Sequence, residues 1–127
     1  MKSFRPHRCG FLSIALGTLI IATTAWAADP PKIDLSGGNA ESGKKIAMDR
    51  AKGNCIACHM IIGGESPGAI GPALIAMQTR YPSKEALAIQ IWDATVKAPE
   101  AAMPPFGRHE ILSKQEFADV VEYIWSL

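Results

Sequence analysis

Cys55-Ile56-Ala57-Cys58-His59 is the stretch on which the reading of this sequence turns. Two cysteines separated by two residues present both sulfurs from one helical turn, and a histidine follows the second directly. Thioether bonds from such a pair to the vinyl groups of a haem c place the adjacent imidazole beneath the iron; the spacing is the recognised attachment signature. Three other uses compete. A structural zinc site takes four ligands, and past the N-terminal leader the chain offers only Cys55, Cys58, His59 and His109. Adjacent Cys58 and His59 make an awkward pair for one tetrahedron. A thioredoxin-like dithiol needs a βαβ context, and a plain disulfide leaves His59 unexplained. The residues predict one haem c (iron), attached covalently through Cys55 and Cys58, with His59 as an axial ligand.

Towards the N-terminus the sequence reads as an export signal. Lys2, Arg5 and Arg8 precede an apolar run from Phe11 to about Ala22, and Ala25-Trp26-Ala27 offers a small-x-small cleavage site. The run is shorter than the ~20 residues that span a bilayer. Residues 1–27 are therefore expected to be a cleaved secretory signal peptide, which implies a periplasmic location and no membrane span after cleavage. Three basic residues and no acidic ones leave with it, so the formal charge of +1 becomes about −2. No Lys/Arg cluster remains, which excludes nucleic acid as a partner. Cys9 leaves as well.

Past the leader the chain divides into an arm, 28–38, without periodicity and a domain, 39–127. Asn39 is a plausible N-cap, with Glu41 in the first turn, of a helix expected to run to about Lys52 and stop at Gly53. Gly43 inside it signals close approach of another element, since it costs up to about 1 kcal/mol relative to Ala. A short helical piece is expected over Ala73–Gln78. Ser83 caps a second helix, with Leu87-Ile91 and Ala88-Trp92 as i,i+4 pairs. Ser113-Lys114-Gln115-Glu116 is a capping box, and Phe117, Val120, Val121, Ile124 and Trp125 form one apolar stripe on the last helix. Few runs alternate with period two. The prediction is all-α, three main helices and two long loops, which need something to wrap.

Methionine is the common partner of histidine at such an iron. Met60 is too close to His59 to reach the far face. Met48 and Met77 fall in helical pieces, where packing is the usual role. Met103 precedes Pro104-Pro105, which biases it to an extended conformation in a stiff loop suited to presenting a thioether. His109 is the other credible sixth ligand, although beside Arg108 it reads as solvent-facing. His59 and Met103 are the expected iron ligands. A bound histidine also needs an acceptor for its second ring N–H. The carbonyl of Pro72, in Gly71-Pro72-Ala73-Leu74, would suit, and an ordinary turn suits the same residues.

Together the Cys55–His59 signature, the Gly71–Leu74 loop, the Met-Pro strap and the closing aromatic helix resemble a class I cytochrome c. That resemblance implies that the Pro72 carbonyl accepts from His59, and that Gly43 packs on the last helix around Tyr123 or Trp125. Gln90-Ile91-Trp92-Asp93-Ala94-Thr95 and Met103-Pro104-Pro105-Phe106-Gly107-Arg108-His109 are similar, in order and over nearly all the chain past the leader, to the SoxX family of sulfur-oxidation cytochromes. Membership implies a SoxA-type cytochrome as heterodimeric partner, a SoxYZ-type sulfur carrier and a soluble cytochrome c as electron acceptor. It also implies an activity: the electron-accepting subunit of a periplasmic thiosulfate-oxidising complex, an L-cysteine S-thiosulfotransferase, with no catalysis by this chain alone. A free diffusible electron carrier and a non-redox metal-binding or disulfide-stapled module are the alternatives.

Overall fold

Asn39 opens the first helix as its residue type predicts: extended itself, it accepts from the Ser42 N–H at 2.9 Å. The structure, a computed structural model, describes residues 31–127. The leader 1–27 and the first residues of the arm lie outside the described residues. The described residues form four helices: α1 (Ala40–Met48), α2 (Met77–Arg80), α3 (Lys84–Trp92) and α4 (Lys114–Ser126), with single 3₁₀ turns at Cys55–Ala57 and Ala94–Val96. There is no strand among the described residues.

Two boundaries differ from expectation, the first for a local reason and the second for a tertiary one. Helix α1 ends at Met48, four residues early. Asp49 turns extended, its carboxylate accepts from the Ala51 N–H at 2.8 Å, and the Gly53 N–H folds back to the Ile46 carbonyl at 3.1 Å. An aspartate that captures a nearby N–H competes with the helix. The short piece forms later, at Met77–Arg80. Leu74 N–H is held by the Met60 carbonyl and Ala76 N–H by the Leu127 carbonyl, so these residues bond across the chain instead of along a helix.

Helix α4 is the hub against which the other three pack. Its capping box forms in full between Ser113 and Glu116, and it buries Phe117, Val120, Val121 and Ile124. Trp125 is only half-buried. Helix α1 crosses α4 at Gly43, where a Cβ would stand 1.9 Å from the Asp119 carbonyl oxygen and 2.9 Å from the Tyr123 Cβ. The crossing is thus at Asp119 and Tyr123, the first of the two residues expected, and not at Trp125. The buried Asp119 carboxylate accepts from the Asn39 N–H and from Gln115 Nε2, each at 2.8 Å, so its charge lies at the positive end of α1. The arm from 31 is extended but not detached: Ile33 and Leu35 pack on the core and Gln115 donates to the Gly37 carbonyl.

Candidate functional site

Asn54, in the left-handed conformation, starts the 3₁₀ turn of Cys55–Ala57. The N–H groups of Cys58 and His59 both donate to the Cys55 carbonyl, at 3.2 and 2.9 Å. One tight turn therefore presents two sulfurs and an imidazole to the same space. The Cys55 and Cys58 thiols are not joined to each other. Burial pushes the Cys55 thiol up to about 11, because a thiolate there would lose its hydration. A thioether has no proton to lose and carries no such penalty.

The segment 71–74 is laid along the back of this turn. Gly71 N–H donates to the Cys58 carbonyl at 2.8 Å and Leu74 N–H to the Met60 carbonyl at 2.9 Å. The result is 2.7 Å between His59 Nδ1 and the Pro72 oxygen. A carbonyl only accepts, so Nδ1 carries the proton and the lone pair of the neutral ring is on Nε2. Gly71 is required beside the ring: a Cβ there would stand 2.3 Å from His59 Cε1.

These residues open on a cavity of about 550 Å³, within the range of ligand and cofactor sites. Cys55, Cys58, His59, Pro72 and Met103, separated by up to 48 positions in the sequence, all line it. Leu87 and Ile91 of α3, Val120 and Ile124 of α4, Leu74 and Phe106 supply apolar walls. Two thiols one turn apart, an oriented imidazole, a thioether and an apolar slot are a donor set suited to haem c.

The methionines separate clearly. Met60 is exposed and Met48 is half-buried away from the cavity, against the core. Met77 reaches the cavity wall but is buried, and its sulfur accepts from Arg80 Nη1 at 3.5 Å. Met103 is half-buried on the irregular loop between α3 and α4, at the cavity. His109 is exposed and does not line the cavity, so the four possible zinc ligands are not brought together. No group of three or more His, Cys, Asp or Glu among the described residues is placed to hold a metal ion.

Sequence reasoning passed over two features. Arg50, Lys52 and Arg80 reach the cavity rim, although nothing in their spacing groups them. Asp93 is 1% exposed and pairs with Arg108; the aspartate directly after the apolar end of α3 was its one visible signal.

Comparison with known proteins agrees with this geometry. The Cytochrome c family model, described as cytochrome c, matches residues 40–127. A solved structure, the crystal structure of SoxXA from P. pantotrophus, is similar with a TM-score of 0.63 and 28% sequence identity, covering 70% of this chain and 81% of that one. No curated protein sequence matches the chain.

Proposed function

The chain belongs to the cytochrome c family as a SoxX-type, all-α class I member with one haem c attached through Cys55 and Cys58, and from that premise we propose that it is the electron-accepting subunit of a thiosulfate-oxidising complex. The observation that carries the reading is the likeness to SoxXA across 81% of that chain. A SoxA-type cytochrome is the partner it suggests. The proposed location is the periplasm, reached through the leader at 1–27. No helix among the described residues is long and apolar enough to cross a membrane.

When bound, the haem supplies one-electron oxidation and reduction. The residues of the chain do the rest. Cys55 and Cys58 anchor the group. His59, with its Nδ1 proton held by the Pro72 carbonyl, would offer Nε2 to the iron, and Met103, at the same cavity, would offer its sulfur. Pro72 thereby acts as a positioning residue. The apolar walls from α3 and α4 would keep water from the group.

Sulfur chemistry by this chain alone is not expected. It calls for a thiolate or equivalent nucleophile, and Cys55 and Cys58 are consumed as thioethers. Joining thiosulfate to a carrier cysteine forms an S–S bond and releases two electrons and the thiol proton. One haem accepts one electron, so the partner's redox centre takes the second and its reactive group performs the attack. A SoxYZ-type carrier supplies the cysteine, and a soluble cytochrome c drains the electrons. The test mixes holoprotein, thiosulfate and reduced carrier, with and without the partner cytochrome. Conjugate formation and haem reduction are expected only when the partner is present. Conjugate formed without it would overturn the proposal.

A further inference from the structure

Asp93 stands where a helix should not want it. It caps the C-terminal end of α3, its N–H donating to the Ile89 carbonyl at 3.1 Å, and a negative charge at that end opposes the helix dipole. It is also 1% exposed, and an unpaired buried carboxylate is costly. Its oxygens are fully engaged instead. Oδ1 accepts from the Thr95 N–H at 2.9 Å and from Thr95 Oγ1 at 2.6 Å, while Oδ2 accepts from Arg108 Nη1 at 2.5 Å. The Thr95 bonds, with that of Arg108, hold its carboxyl below the usual carboxylate range.

The remaining contacts repeat the same join. The Trp92 carbonyl accepts from both the Gly107 and Arg108 N–H groups at 3.2 Å. Gly107 lies so close to the Trp92 indole that a Cβ would stand 1.9 Å from Cδ1. Phe106 is buried in the core. Residues 106–108 are thus fastened to the end of a helix that itself walls the cavity. Met103 hangs from this fastening through Pro104-Pro105, whose rings fix φ at two successive positions. On its other side, residues 97, 99, 100 and 102 are exposed. That flank is held by turns within the loop, Lys97 and Ala98 N–H to the Ala94 carbonyl and Ala101 N–H to that of Ala98. The hydrogen bonds that tie Met103 to the end of α3 are therefore those from 107 and 108.

We propose that Asp93 and Arg108 are positioning residues that hold the Met103 loop closed and so set how often the sixth iron position opens to a ligand from solution. The inference rests on the reading of Met103 as axial ligand. It adds that the lifetime of that bond is governed by an ion pair outside the cavity lining.

The test uses ferric holoprotein and imidazole as the competing ligand. Imidazole enters only after Met103 leaves, so at high imidazole the observed rate levels off at the rate of loop opening. Arg108→Ala should raise that plateau on the order of tenfold, the worth of a hydrogen bond to a charged group, and Arg108→Lys should recover part of the loss. The Arg108 side chain is 53% exposed, but its removal leaves the buried Asp93 carboxylate with only its Thr95 bonds. The thermal midpoint should therefore fall as well, while the plateau rate, read on folded protein, reports the loop. Asp93→Asn should move the plateau in the same direction. An unchanged plateau in Arg108→Ala would overturn the clamp. Met103→Ala keeps the two ideas apart. Loss of the far-red methionine–iron band in that variant, with an unchanged Arg108→Ala plateau, sinks the clamp alone. Survival of the band in Met103→Ala sinks the axial reading and the clamp with it.

Discussion

Gly43 and Asp119 meet backbone to backbone where α1 crosses α4, with room for a hydrogen and not for a methyl group. Gly43→Ala forces a Cβ to within 1.9 Å of the Asp119 carbonyl oxygen, and neither partner can yield, because both are helical backbone. The helices must separate. Overpacking of this kind costs about 3 kcal/mol at the upper end of its usual range, more than the gain in helix propensity of up to about 1 kcal/mol. Urea unfolding of the holoprotein should show a loss of roughly that size; a stabilised variant would contradict the crossing.

Met103→Ala should lower the reduction potential and abolish the weak far-red band of a methionine–ferric iron bond. Methionine ligation raises the potential, and no other methionine among the described residues is equally placed: Met77 is buried and already accepts from Arg80. Redox titration with visible spectroscopy checks both outcomes. An unchanged potential would mean that another residue holds the position.

Cys55→Ala with Cys58→Ala should leave a chain without a cooperative unfolding transition. Without haem, the apolar walls of a cavity of about 550 Å³ face water, at about 25 cal/mol per Å² of apolar surface left exposed. Whole domains are stable by only about 5–15 kcal/mol. Calorimetry should show a broad, weak transition, and a sharp one would refute the dependence on haem.

Acid should loosen the chain through Glu116. The Lys52 ammonium and the Ser113 N–H, both donating to it, hold its carboxyl down at about 2, against 4.5 for the free group. A folded value below the unfolded one contributes stability in full above pH 4.5 and loses it as pH falls towards about 2. Glu116→Gln should therefore melt below the native protein at neutral pH and match it near pH 2. Both partners are partly exposed, so the difference should also shrink in high salt. Thermal melts across pH would show otherwise if the gap persisted in acid.

Local features of the fold were legible in the sequence. Asn39, Ser83 and Ser113 each cap the helix expected of them, because a cap depends on residues two or three positions away. The attachment turn at 55–59 is equally short-range. The end of α1 and the start of α2 depend instead on bonds from Gly53 to Ile46 and from Ala76 to Leu127, the second across 51 positions. No local pattern encodes such a partner. The same holds for Arg108. Its neighbours place it beside His109 on an exposed loop, and only the fold brings it to a carboxylate 15 residues earlier.

The α1–α4 crossing has a consequence for a broken chain. It joins residues 76 positions apart, and Lys52–Glu116 and Lys84–Glu122 tie further early segments to the same last helix. A protease nick in the glycine-containing loop at 63–68 would sever the covalent path yet leave each fragment holding one half of this clasp. The N-terminal piece would keep α1 and both thioethers, the C-terminal piece the remaining three helices. Such a molecule should survive cutting as a coloured, non-covalent pair, and separate only when α1 and α4 let go.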